Sequence, residues 1–276
     1  MNHRTNLTFV VFGLLGSVLL INLALPIASL LFHADWTEWV AALRQPEALQ
    51  ALMISIEASA ISLAVMASLG IPLGYLLARA DLPFKRLWII LVFLPMVVPD
   101  LAAGILLLRT FGPYGVIGQP FDARNIALTN NLAGIVLAQL FVAAPFAIIS
   151  TTAAFASVDR KLEMAAATLG DSQWHIFRRI SLPLAWPGIA AGLTLAWIRA
   201  MGEFGSTLIV AYTPHSVPVY LWIEFESEGI QGALPAAFSL VVLAGGAVLI
   251  SMLLTRLSGF ADLAGPLGRV ATLEGY

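Results

Sequence analysis

Ser157-Val-Asp-Arg-Lys-Leu-Glu-Met-Ala-Ala-Ala-Thr-Leu-Gly170, running on into Asp171-Ser-Gln-Trp-His-Ile-Phe-Arg-Arg-Ile180-Ser-Leu-Pro183, is a mixed-charge segment of 27 residues between two apolar stretches. Its spacing predicts two short helices. Asp159 is a capping residue for the first, and Gly170 can end it in the left-handed conformation. Ser172 can cap the second. Leu162, Ala165, Ala166 and Leu169 recur at helical spacing and form one apolar stripe. Such a stripe either lies on a bilayer surface or docks a cytoplasmic partner, and the physics of the segment leaves both readings open.

The flanks set the class. Of 276 residues, 59% are apolar and 11% charged, with mean hydropathy +0.90. Soluble domains run to about 45–50% apolar and about 25% charged. An ordinary soluble enzyme and a disordered chain are therefore excluded. Lys and Arg number 14 against 16 Asp and Glu, so no basic excess points to nucleic acid. The absence of cysteine excludes disulfides, thiolate metal sites and cysteine nucleophiles.

A spanning helix needs about 20 mostly apolar residues. Six stretches qualify: Leu7–Phe32, Leu49–Ala78 (with Glu57), Leu87–Leu108 (with Asp100), Leu132–Ala156, Leu184–Tyr212 (with Arg199 and Glu203) and Ala233–Thr255. Asn2-His3-Arg4 precedes the first, as in a secretory leader, but that stretch is long and lacks a clear small-residue cleavage site, so it is read as a span. The predicted fold class is all-α: a polytopic membrane protein with six transmembrane helices. Trp36 and Trp39 in the loop after span one are expected at headgroup level. Pro72, Pro95, Pro99, Pro145 and Pro187 fall within or at the ends of spans, where they kink helices. No inverted repeat is visible.

Basic residues set the orientation. With the N-terminus inside, the inner segments hold Arg4, Arg79, Lys85, Arg86, Arg160, Lys161, Arg178, Arg179, Arg256 and Arg269, which is ten. The outer segments hold Arg44, Arg109 and Arg124, which is three. Both termini and the 157–183 segment are thus expected in the cytoplasm. The outer loop with Glu224, Glu226 and Glu228 carries no Lys or Arg.

The charges inside spans are few. Arg199 and Glu203 stand at i, i+4 on one helix face and can pair. Ser206 and Thr207 extend that face with hydroxyl donors, and Gly202 and Gly205 leave room for a neighbouring helix. This face is either a structural lock or the lining of a translocation path or its gate. Asp100 and Glu57 have no partner nearby in sequence, and intramembrane acids are functional suspects. The histidines (His3, His33, His175, His215) are scattered, which argues against a metal site. No nucleophile elbow supports an intramembrane hydrolase.

The 157–183 segment resembles the cytoplasmic loop of type I ABC-transporter permeases. That loop carries Glu-Ala-Ala, three residues, Gly, nine residues, Ile, one residue, Leu-Pro. Here the matching positions are Ala165, Ala166, Gly170, Ile180, Leu182 and Pro183, before the penultimate span. Met164 stands where the family has its Glu, and Glu163 is one residue early, about 100° around the helix. Further resemblance is to the molybdate/tungstate and sulfate permeases. It is carried by Pro95-Met-Val-Val-Pro99, Phe111-Gly-Pro-Tyr-Gly115, Phe141-Val-Ala-Ala-Pro145-Phe, Ala200-Met-Gly-Glu203-Phe-Gly-Ser-Thr-Leu-Ile-Val-Ala-Tyr and Pro218-Val-Tyr-Leu-Trp-Ile-Glu-Phe-Glu-Ser-Glu-Gly229. Asp100 departs from the His or Pro expected there.

The resemblance implies a division into residues 1–48, an N-terminal helix and outer loop; 49–257, the transmembrane domain; and 258–276, a short cytoplasmic tail. It implies a coupling loop between spans four and five on which a dimer of ABC ATPase subunits docks through Leu162, Glu163, Met164, Ala165, Ala166, Leu169, Gly170, Ile180, Leu182 and Pro183. It also implies a second copy of the chain, an extracytoplasmic anion-binding protein and a prokaryotic inner membrane. No GxxxxGK[ST] loop occurs, so ATP and Mg are expected on the partner and no cofactor in this chain. The implied cargo is tungstate or molybdate in preference to sulfate. The alternatives are a permease of the same fold for another small solute, a stand-alone ion-coupled transporter or channel, and an intramembrane enzyme.

Overall fold

The structure, a computed structural model, describes residues 3–32 and 35–257. The tail 258–276, with Arg269, and His33 lie outside the described residues. α1 (His3–Phe32) is a long apolar helix, and over 8–32 none of its spanning window is buried in the chain. α2 (Trp36–Leu43) is capped by Asp35, which accepts from the amides of Thr37 and Glu38. The Thr37 hydroxyl, 2.7 Å from the same carboxylate, holds it below the usual carboxylate range. α3 (Pro46–Val65), a π turn at Met66–Gly70 and α4 (Ile71–Arg79) continue as one apolar rod of 34 residues. At 1.5 Å per residue the rod is about 50 Å long, more than a ~30 Å hydrocarbon core requires.

The third span departs from expectation. Instead of one helix over 87–108, α5 (Lys85–Val97) and α6 (Asp100–Phe111) meet at a bend of 116°. Pro99 lacks an amide proton and drives Val98 to extended backbone, so the helix stops and restarts. After the short α7 (Gly118–Asp122), α8 (Leu132–Ser157) opens on an Asn131 cap and runs through the centre of the bundle. The 157–183 segment forms α9 (Arg160–Thr168), α10 (Gln173–Ile176) and a π turn at Phe177–Ser181 that leads into α11 (Leu182–Met201). Span five therefore ends at Met201 rather than Tyr212, and α12 (Gly205–Val210) is a separate short helix. α13 (Val217–Leu257) begins well before the expected Ala233 and bends at Gly229, where φ is 72°. Glu224, Glu226 and Glu228 accordingly sit on helix and not in a loop. Among the described residues, five helices are long and apolar enough to cross a membrane, and the bent α5–α6 pair makes six if it is one span.

The main core lies between α8 and α11. Its buried members are mostly alanines: Ala143, Ala147, Ala154, Ala185, Ala196 and Ala200, with Phe155 and Ile189 the largest fully buried side chains among them. Lipid offers apolar side chains no worse a solvent than a neighbouring helix does, so helices associate through close backbone approach, which small residues permit. A Cβ added to Gly192 on α11 would collide with the Ser150 Cβ on α8.

The rod α3–α4 links two distinct ends. Near Pro46, Trp36 and Trp39 pack on Phe238 of α13 at 5.2 and 5.3 Å. There Asp35 and Glu38 share a cleft with Tyr220, Glu224 and Glu228. Trp39 is buried by these contacts, whereas Trp36 is half exposed. At the other end, Ala78 and Arg79 meet Val158 and Arg160. Of the segments expected outside, 35–48 and 220–238 thus meet at one end of the rod, and of those expected inside, 78–79 and 158–160 meet at the other.

Candidate functional site

The break after α11 creates the first site. A new helix starting at Gly205 leaves its first amides without intrahelical acceptors. Glu203 supplies one: its Oε1 accepts from the Ser206 amide at 2.6 Å and from the Thr207 amide at 3.3 Å. Its Oε2 accepts from Arg199 Nη1 at 3.2 Å. The other arm of Arg199, Nη2, lies 2.8 Å from both carboxylate oxygens of Asp100. Asp100 opens α6 directly after the Pro99 bend, and its carbonyl accepts from Ser206 Oγ at 2.9 Å. Gly205 makes this approach possible, because a Cβ there would stand 2.7 Å from the Asp100 Cβ.

One guanidinium is thus held between two carboxylates of unequal standing. The Glu203 side chain is fully buried, whereas those of Arg199 and Asp100 are 29% and 45% exposed. Glu203 is fixed by two backbone amides; Asp100 is the partner nearer to open space. With both acids ionised the trio carries one net negative charge. Removing Arg199 would leave the buried Glu203 carboxylate without its countercharge, at about 3–5 kcal/mol.

The expected pairing of Arg199 with Glu203 holds, and Ser206 and Thr207 join it. Their contribution to Glu203 is through backbone amides, however, not hydroxyls, because the helix has ended and Glu203 acts as a cap. Thr207 Oγ1 is buried without a partner. Gly205 gives the close approach expected of it; Gly202 does not, since the nearest atom to a Cβ there is its own helix's Ile198 carbonyl at 3.6 Å. Sequence spacing alone misses Asp100 as part of the set. The available signal is charge balance: one Arg in the spans against several acids, with one acid placed at a proline break. Glu57 lies exposed on α3 and joins nothing here.

The 157–183 segment is the second site. Asp159 accepts from the Lys161 amide at 2.9 Å, Ser172 accepts from the His175 amide at 3.3 Å, and Gly170 has φ 95°. The expected stripe divides: Leu162, Ala165 and Leu169 are exposed, but Ala166 is buried against the chain. Met164 is exposed beside them. Glu163 turns the other way and pairs with Arg79 at 3.0 Å. Ile180, in the π turn, and Leu182 and Pro183, at the start of α11, are half-buried.

Comparison with known proteins agrees with this architecture. The family described as binding-protein-dependent transport system inner membrane component matches residues 70–260. The chain is 41% identical over 237 residues to a probable molybdenum ABC transporter permease protein of Haloferax volcanii, covering 86% of this chain and 87% of that one. It is 36% identical over 249 residues to the molybdate/tungstate transport system permease protein WtpB of Thermococcus kodakarensis, covering 90% and 96%. Among solved structures, a chain of the bacterial alginate ABC transporter in complex with alginate pentasaccharide-bound periplasmic protein superposes with a TM-score of 0.67 at 18% identity. That match covers 90% of this chain and 93% of the other and establishes the shared fold. A helical, multi-pass chain with this loop, matched by that family over most of its length, belongs to the inner membrane components of binding-protein-dependent transport systems.

Proposed function

We propose that this chain is the translocation subunit of an ATP-driven importer for a tetrahedral oxyanion, molybdate or tungstate in preference to sulfate. Two copies would form the path. An ATPase dimer binding ATP and Mg would dock on α9, and an extracytoplasmic binding protein would deliver the anion at the Trp36–Phe238 end. The N-terminus and the docking loop then face the cytoplasm, in line with the ten-to-three distribution of basic residues. The names of the relatives support the cargo, and the exposed Leu162, Met164 and Leu169 support the docking.

The observation that carries the transport mechanism is Arg199 held between Asp100 and Glu203. In this state the guanidinium is engaged and the trio is net negative, which repels a dianion. Glu203 is also held by two backbone amides, so a small withdrawal of Arg199 from α6 parts it from the Asp100 carboxylate first. That frees one edge of a planar fork whose geometry suits an oxyanion. The gate therefore exchanges an internal carboxylate for the cargo. ATPase closure supplies the bias between the two states, through differential contacts at the docking loop.

Uptake of labelled molybdate by cells expressing the complete transporter, in competition with tungstate, sulfate and phosphate, tests the cargo. Competition by tungstate but not by sulfate at equal concentration is expected. Equal competition by sulfate would remove the preference, and uptake without any copurifying ATPase would remove the ATP-driven reading.

A further inference from the structure

A carboxylate on the docking segment reaches inward to the membrane spans. Glu163 Oε1 accepts from Ser181 Oγ at 2.7 Å and from Arg79 Nε at 3.0 Å. Arg79 is the last residue of α4, and its Nη2 also donates to the Val158 carbonyl at the end of α8, at 2.8 Å. Arg160, at the start of α9, returns the contact by donating to the Ala78 carbonyl at 3.2 Å. Ser181 is fully buried in the π turn that leads into α11. One side chain on α9 therefore touches the ends of two spans, and the Arg79 that holds it touches a third. The ion pair is well shielded, with side-chain exposures of 10% and 14%.

Neighbouring positions on α9 divide the labour. Met164 is 59% exposed on the open face, while Glu163 turns into the chain. A docked partner pushes on the open face; only an inward connection can pass that push to the spans. A helix held by apolar contact alone can roll. A charge-assisted clasp with partners on two sides fixes both its rotation and its distance.

We infer that Glu163 is the positioning residue that makes α9 move as one body with spans two and five, through Arg79 and Ser181. It sets how much transport each ATP hydrolysed yields, and it does not itself form the docking surface. This rests on the reading of α9 as the ATPase-docking helix, so the test carries a separate control for that reading.

The experiment uses the complete transporter, copurified with its ATPase and reconstituted in liposomes, and records ATPase recovered per permease and molybdate uptake per ATP hydrolysed. The variants are Glu163→Lys, Arg79→Glu, the two together, Ser181→Ala and, as the docking control, Leu169→Asp. Leu169→Asp should lose the ATPase; if it keeps the ATPase, the docking reading fails whatever the other variants do. Glu163→Lys and Arg79→Glu should each retain the ATPase but lower uptake per ATP about fivefold or more, the scale of a typical coupling free energy. Their combination restores the ion pair and should recover most of that loss. Ser181→Ala, a mild change that keeps the ion pair, should give a smaller loss of the same kind. Wild-type uptake per ATP in both single charge reversals and in Ser181→Ala would overturn the inference. So would loss of the ATPase from Glu163→Lys that the double variant does not repair, since Glu163 would then belong to the docking surface.

Discussion

Arg199 and Asp100, 99 positions apart in the chain, meet through one guanidinium nitrogen lying 2.8 Å from both carboxylate oxygens. The contact depends on two breaks in helical structure. Pro99 places Asp100 at the mouth of α6, and Gly205 lets α12 come down on the Asp100 backbone. A straight third span would carry the carboxylate elsewhere. The most open member of the site, the half-exposed Asp100, is thus paired with a cation that the buried Glu203 holds from the other side.

The two acids should respond differently to neutralisation. Glu203→Gln keeps an oxygen to accept from the Ser206 amide but weakens the hold on Arg199, so the complex should assemble with an altered transport rate. Asp100→Asn should leave the gate less firmly shut and raise cargo-independent ATP hydrolysis. Arg199→Ala leaves Glu203 buried and unpaired at about 3–5 kcal/mol and should be the most damaging of the three. ATPase stimulation and anion uptake, measured for the single variants and for Arg199→Ala with Glu203→Gln, check this order. If the single variants transport like the wild type, the trio is neither gate nor path.

Gly170 offers a backbone test free of side-chain contacts. Its φ is 95°, and a Cβ added there would meet nothing within 4 Å, so substitution acts through conformation alone. Gly170→Val should cost roughly 1 kcal/mol or more and tilt α10 relative to α9, so that transport falls while membrane insertion is kept. Gly170→Asn should be milder, because Asn tolerates the left-handed region. Normal transport by the valine variant would remove the role of this turn in coupling.

The α8–α11 seam should be intolerant of added volume and open to compensation. Gly192→Ala places a methyl group where the Ser150 Cβ already stands, and overpacking of this kind costs about 1–3 kcal/mol. Ser150→Gly in the same chain should recover much of the loss. Thermal stability of the detergent-solubilised protein is the measurement. Equal stability of Gly192→Ala and the wild type would show that the seam is looser than its alanine-rich contacts imply.

The absence of cysteine makes orientation directly testable. Single cysteines at positions 85 and 172 should label only from the cytoplasmic side, and those at 36 and 226 only from outside. Ser172 and Trp36 are exposed and sit at opposite ends of the bundle, so they form the cleanest pair. Labelling of position 172 in intact cells with a membrane-impermeant reagent would reverse the topology and remove the docking surface from the ATPase.

What the sequence by itself determined is what depends on residues within a few turns of one another. Apolar run length marked the spans, and the distribution of basic residues gave an expected orientation for the loops between them. The Asp159, Gly170 and Ser172 signals placed the helices of the docking segment, because a cap or a left-handed turn is set by its own local backbone. The i, i+4 spacing of Arg199 and Glu203 brought them within reach even though the helix stops between them. Only the tertiary structure decided which contacts join positions far apart: Asp100 with Arg199, and Arg79 with Glu163 and Ser181. Those pairings are fixed by where Pro99 bends the third span and by how closely the small residues let the helices approach. An isolated helix carries no record of its neighbour's distance, so a charge in one span cannot by its own sequence identify the charge that will neutralise it.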